Sequence, residues 1–221
     1  MYLHQWVDGK GAGLPTGKAV CIGRNYVEHV QELNNPIPDE PVLFIKPATS
    51  IVGTDSALAL SESLAPIHYE AELSVLISKP LTKAKPEEVL DAIVGVGVAL
   101  DLTRREAQSK LKEKGLPWEL AKAFDGSCVQ SPFVPLEGFD LSATTYGLDI
   151  NGKPTQRGDT SLMINPVVDL ICHLTQYFTL APGDIVLTGT PKGVGKLADG
   201  DALTLTLSDQ VLAEFSCVKV A

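Results

Sequence analysis

Apolar residues recur along this chain at two spacings, and together they predict many strands with a few short helices between them. Strands are expected over residues 41–47, which prolines bracket, and over 73–77, 93–100 and 184–188. A further pair is expected over 202–207 and 211–218. Asn151-Gly152, between candidate strands at 146–150 and 153–157, is a strong signal for a two-residue hairpin turn. The clearest helix follows Asn165-Pro166, where Val167, Leu170, Ile171, Leu174 and Tyr177 share one face. Residues 86–92 read as a helix with a first-turn proline and early glutamates. Residues 103–114 read as another, closed by Gly115 and Pro117, and residues 26–33 as a third with Asn25 as N-cap. The mixed order predicts an α+β fold, predominantly β.

The pattern is most informative where it is polar. Residues i and i+2 of a strand share a face, so Glu70 and Glu72 place two carboxylates side by side. Asp101 stands at the end of a second apolar strand. Three carboxylates from two strands form an all-oxygen set suited to Mg²⁺ or Mn²⁺. Alone, Glu-x-Glu fits the wet face of a half-exposed strand equally well.

Composition narrows the partners. With 221 residues, 44% of them hydrophobic and 20% charged, the chain can bury a sizeable core as one large domain. A formal charge of −9 argues against nucleic acid or an anionic membrane as partner. Cys21, Cys128, Cys172 and Cys217 lack metal-ligand spacing and read as buried thiols in a reducing compartment. Residues 1–6 combine neither a basic stretch nor a long apolar run, and no stretch approaches a membrane span, so a cytoplasmic protein is expected. Residues 1–16 read as a short N-terminal segment and 17–221 as the main domain.

Other segments could join the carboxylates. His29 and Glu32 lie at i and i+3 on the first helix, as a solvated surface pair or as an imidazole oriented by a carboxylate for general-base work. Lys122, among aromatic neighbours, could bind a carboxylate or stabilise an enolate. The glycines of Leu187-Thr188-Gly189-Thr190-Pro191-Lys192-Gly193-Val194-Gly195 free backbone N–H groups to face an anion, or simply make a turn.

In order, G-R-N-Y-x-x-H-x-x-E (23–32), F-I-K-P (44–47), H-x-E-x-E-L (68–73), A-L-D-L-T-x-R (99–105), K-A-F-D (122–125) and L-T-G-T-P-x-G-V-G (187–195) make a joint pattern. It resembles the small single-domain members of the fumarylacetoacetate hydrolase superfamily over nearly the whole chain. The resemblance implies a mixed β-sandwich roll, with Mg²⁺ or Mn²⁺ held by Glu70, Glu72 and Asp101, and a homodimer. It implies substrate contacts from Arg24, Lys122, Thr190 and Gln108 and a His29–Glu32 dyad on a lid helix; His68 is not among its metal ligands and reads as a support to them or as structural. The expected reaction is metal-dependent C–C cleavage of a small 2-oxo acid, by acylpyruvate hydrolysis or oxaloacetate decarboxylation. The alternatives are an isomerase, tautomerase or hydratase of hydroxy-dienedioates in aromatic catabolism, and a metabolite-binding protein without turnover. No residue set for a second substrate carboxylate is visible, so a permissive tail is expected.

Overall fold

The computed structural model describes residues 2–221, and its elements follow the predicted order with several additions. The first half contains β1 (Ala19–Gly23), α1 (Val27–Glu32), β2 (Val42–Lys46), β3 (Ile51–Val52), β4 (Leu58–Ser61), β5 (His68–Tyr69), β6 (Ala71–Ile77), α2 (Pro86–Ala92) and β7 (Ile93–Asp101). Next come α3 (Arg105–Glu113), α4 (Glu119–Lys122), β8 (Cys128–Gln130), β9 (Val134–Pro135), β10 (Thr145–Ile150), β11 (Lys153–Asp159) and α5 (Val167–Leu174). The chain finishes with β12 (Ile185–Leu187), β13 (Gly195–Lys196), β14 (Ala202–Leu207) and β15 (Gln210–Val220).

The fold is α+β and dominated by strands. The larger sheet has the order β2-β1-β12-β6-β7-β8-β3, with β9 also beside β7. The smaller has the order β11-β10-β14-β15-β4, and β13 pairs with β5 in a short ribbon. Within the larger sheet β12 runs parallel to β1 and antiparallel to β6, so a strand formed late in the chain lies between two early ones. The hairpin forms as expected, with Asn151 and Gly152 at φ 53° and 71° and Ile150 opposite Lys153.

Both faces of the larger sheet are covered, which is why β6 and β7 read as continuous apolar runs. On one face Leu73, Val75, Val98 and Leu100 join a core that includes Leu148, Leu203 and Leu205 of the smaller sheet and Leu170, Ile171 and Leu174 of α5. On the other, Ala19, Cys21, Leu76, Ala99, Phe133 and Leu187 pack beneath Tyr2, Trp6 and Leu14. His4 Nε2 donates to Gly183 O at 2.8 Å, and residue 95 must be glycine because an added Cβ would stand 2.9 Å from the Trp6 ring. Among the described residues no helix is long and apolar enough to cross a membrane.

The structure corrects two local expectations and decides one that was open. Tyr26, not Asn25, caps α1, because the Asn25 side chain is spent on Thr188 O at 2.8 Å and on Asn165. Tyr177 lies past the end of α5 and is exposed. Of the two readings of Glu-x-Glu, the wet strand face is excluded: the face of β6 that carries Glu72 and Ser74 is fully buried.

Candidate metal centre

Strand register builds the site. Ala71 pairs with Leu100, and Asp101 N donates to Glu70 O at 2.8 Å, so Glu70, Glu72 and Asp101 converge where β6 begins and β7 ends. One carboxylate oxygen from each lies within 4.8 Å of the others, and the three residues are only 4%, 1% and 1% exposed.

Cations brace this cluster. Lys122 Nζ donates to Glu70 Oε2 at 2.7 Å, Asp101 Oδ2 at 2.6 Å and Thr103 Oγ1 at 2.7 Å. Burial opposes charge on Lys122, but Asp101 and Glu70 outweigh it and hold the ammonium above its ordinary pKa. Arg105 donates to Glu70 Oε1. Burial would raise the Glu70 carboxyl, yet Lys122, Arg105 and His29 together hold it well below the usual range. Lys46 is completely buried behind Asp101, with Nζ 2.9 Å from Oδ1, and it also donates to Lys122 O and to Ser127 Oγ.

The donor set fits a divalent cation. All three groups offer oxygen, and Asp101 Oδ1, though in ion-pair contact with Lys46, receives no hydrogen bond from the described residues. Among the described residues Glu72 accepts a single side-chain hydrogen bond, from Gly189 N at 2.7 Å. Burial first, then Asp101 and Glu70, push its carboxyl well above the usual range. A divalent cation among the three would relieve that repulsion.

The 189–195 loop and α1 close the surroundings. Gly189 has φ 101°, and a Cβ there would meet Asn25 Cβ at 2.7 Å, so only glycine turns its N–H onto Glu72. His29 is 5% exposed, and its Nδ1 stands 3.4 Å from Glu32 Oε2. Burial lowers its pKa, against the pull of Glu70 and Glu32, and favours the neutral imidazole. Gly193 N donates to Glu32 at 3.0 and 3.2 Å, and Lys192 pairs with Glu28 at 2.9 Å, so α1 is fastened to the loop.

The remaining predicted residues are placed less uniformly. Buried Gln108 accepts from Arg105 at 2.9 Å, one link from Glu70. Buried Thr190 uses its hydroxyl inside the fold, donating to Ala71 O at 2.8 Å and accepting from Gln156 at 2.9 Å. Arg24 adopts φ 64°, and its Nη2 donates to Asn35 Oδ1 at 3.2 Å. His68 exchanges backbone hydrogen bonds with Thr103 and contributes no atom to the carboxylate cluster. Sequence reasoning gave no role to Lys46, Arg105 or Gln156. The first two stood inside quoted motifs, Lys46 within F-I-K-P and Arg105 at the end of A-L-D-L-T-x-R, and a lysine in an apolar strand was the available signal.

A buried trio of carboxylates, braced by lysine and arginine beneath a glycine-rich loop, is the site of a metal-dependent enzyme acting on a small anionic molecule. The chain belongs to the fumarylacetoacetate hydrolase family: residues 18–218 match the fumarylacetoacetate (FAA) hydrolase C-terminal model. It is 47% identical over 214 residues to oxaloacetate tautomerase YcgM of Escherichia coli K12, covering 96% of this chain and 98% of that one. Among solved structures, a fumarylacetoacetate hydrolase family protein from Yersinia pestis CO92 superposes with a TM-score of 0.95 at 44% identity, covering 98% of this chain and 100% of that one. Fumarylpyruvate hydrolase from Pseudomonas aeruginosa, solved with Mn²⁺ and pyruvate, gives 0.88 at 31% identity, covering 99% of this chain and 95% of that one.

Proposed function

We propose that this protein is a tautomerase of small 2-oxo acids, interconverting the keto and enol forms of oxaloacetate. The observation that carries a metal-assisted 2-oxo-acid reaction is the buried Glu70–Glu72–Asp101 cluster with Lys122 set between two of its members. Likeness to YcgM favours tautomerisation over the C–C cleavage expected from sequence. Glu70, Glu72 and Asp101 would hold Mg²⁺ or Mn²⁺, since hard oxygen donors suit both. When bound, the cation supplies Lewis acidity to the 2-oxo group and makes the neighbouring C–H more acidic.

The chain's own groups do the rest. His29, kept neutral by burial and steadied at Nδ1 by Glu32, receives the C3 proton at Nε2 as the C2–C3 double bond forms and delivers it to the former 2-oxo oxygen, so the imidazole is unchanged over a full cycle. Lys122 Nζ presents fixed positive charge to the oxygen that becomes negative, and needs no reorganisation because Glu70 and Asp101 already orient it. Arg24, Gln108 and Thr190 complete the substrate pocket, and α1 with the 189–195 loop excludes water. Hydrolysis of an acylpyruvate or decarboxylation of oxaloacetate is the second reading, supported by the likeness to fumarylpyruvate hydrolase. A homodimer in the cytoplasm belongs to the same proposal, and sedimentation and fractionation test those two points.

The deciding experiment follows enol disappearance, CO₂ release and acylpyruvate cleavage in parallel with Mg²⁺ present and after exhaustive chelation. Tautomerisation should be fastest and metal-dependent. Faster acylpyruvate cleavage would transfer the assignment to the hydrolase reading.

A further inference from the structure

Ala71 stands between the two glutamates, and its N–H and C=O face an edge that the neighbouring strand has already left. Ala71 lies opposite Leu100, but the hydrogen bond at this point of the ladder runs from Asp101 N to Glu70 O, so the polar groups of Ala71 point away from β7. On their side lies β12, which ends at Leu187, opposite Ser74. Beyond it, the last backbone bond to β6 among the described residues is Thr188 N to Leu73 O at 3.1 Å. Gly189 then turns the chain out of the sheet at φ 101°. Ala71 is completely buried, where an unmet donor and acceptor would be costly.

Two side chains take the place of the missing strand. Gln156 Oε1, from β11 of the smaller sheet, accepts from Ala71 N at 2.8 Å, and Thr190 Oγ1 donates to Ala71 O at 2.8 Å. Gln156 Nε2 closes the ring by donating to Thr190 Oγ1 at 2.9 Å, and it also donates to Pro191 O at 3.0 Å. Every bond in the ring has a fixed direction. Ala71 N can only donate and Pro191 O can only accept, which sets the amide. The amide in turn leaves the Thr190 hydroxyl proton to Ala71 O. β11 presses on the loop a second time at Gly193, where a Cβ would stand 2.6 Å from Thr155 O.

We propose that Gln156 is a positioning residue of the metal centre. It contributes no atom to the carboxylate cluster. It fixes the backbone between Glu70 and Glu72, and so the separation of their carboxylates, and it seats the loop whose Gly189 N–H meets Glu72. Mg²⁺ demands near-ideal octahedral geometry, so a small change in that separation is felt as affinity. The smaller sheet supplies none of the three carboxylates, and Gln156 is how it enters the site. The inference rests on the reading of the carboxylates as a metal site, but not on which reaction occurs there.

Calorimetric titration with Mg²⁺, and with Mn²⁺ as a second probe, tests the assignment without turnover. Gln156→Met keeps similar volume and removes both ends of the amide. It should weaken Mg²⁺ binding about 10- to 100-fold, the usual loss when a group behind a metal ligand is removed. Thr190→Val opens the same ring at the hydroxyl and should cost a similar factor. The double variant should lose little more than either, because one ring cannot be broken twice. Thr175→Val is the control. Buried Thr175 Oγ1 accepts from Ala84 N at 3.0 Å and donates to Cys172 O at 2.9 Å, so this variant loses comparable bonds outside the site and should bind Mg²⁺ as the parent does. Parental affinity in Gln156→Met, additive losses in the double variant, or an equal loss in Thr175→Val overturns the proposal. If Gln156→Met fails to fold, Thr190→Val measured against Thr175→Val decides in its place. A parent protein that binds neither cation overturns the metal-centre reading itself.

Discussion

Replacing Lys46 by methionine tests the idea that the metal centre is built on the core. The side chain is completely buried, and methionine fills similar volume without the charge. Three acceptors lose a partner: Asp101 Oδ1, Ser127 Oγ and Lys122 O. Two are cheaply compensated, because Ser127 Oγ still donates to Lys122 O at 2.8 Å. Asp101 is not, although Lys122 continues to neutralise its Oδ2. Breaking a buried pair from one side costs about 3–5 kcal/mol, and the remaining lysine places this case at about 3 kcal/mol. For a domain of this length, that lowers Tm by roughly 6–12 °C. Urea titrations of the metal-free protein should show the loss as a lower midpoint at unchanged slope. Repeating them in excess Mg²⁺ should narrow the gap between variant and parent, since a cation at Asp101 offsets the charge that Lys46 no longer meets. A midpoint shift equivalent to less than about 1 kcal/mol, or a gap indifferent to Mg²⁺, would refute the reasoning.

Other outcomes follow from the same geometry. Glu72→Ala and Asp101→Ala should abolish turnover and weaken Mg²⁺ binding in calorimetry while circular dichroism stays native. His29→Ala should slow tautomerisation about 10²–10⁴-fold, the usual loss for a positioned base, with oxalate binding retained; an unchanged rate removes His29 from the mechanism. Gly189→Ala must accommodate a Cβ against Asn25 at an unfavourable φ, and should lower stability by about 1–3 kcal/mol in urea titrations as well as activity. Burial lowers the His4 pKa from 6.5, so the folded state disfavours its protonated form. The His4 contribution to stability is therefore complete above pH 6.5 and is lost as pH falls toward the folded-state pKa, and His4→Gln should flatten that part of the stability–pH curve.

What the sequence made legible is what local spacing encodes. The hairpin at Asn151-Gly152, the helix after Pro166 and the carboxylates at 70, 72 and 101 each declare themselves within a few residues. The short strands β3, β5, β9 and β13 did not, because two residues carry no periodicity and only pairing partners define them. The burial of Glu72 was equally hidden: alternation distinguishes the two faces of a strand but cannot say that both are covered. Lys46 and Arg105 occupied quoted motifs without a role, since their partners Asp101 and Glu70 lie far away in sequence. Asn25 had the right chemistry for an N-cap, but its side chain was claimed by Thr188 and Asn165, which no local rule foresees.

The position of β12 between β1 and β6 has a consequence for how the molecule comes into being. During synthesis β1 and β6 emerge more than a hundred residues before the strand that joins them. Until residues 185–187 arrive, each has an unfilled edge of backbone donors and acceptors, the arrangement most open to pairing with another chain. Gly189, which caps Glu72, follows two residues after β12 ends, so the metal centre is finished in nearly the same step that closes the sheet. A nascent chain stalled before this point would hold all three carboxylates and neither a continuous sheet nor a finished site. Acquisition of metal affinity during translation should therefore report the moment at which the larger sheet becomes whole.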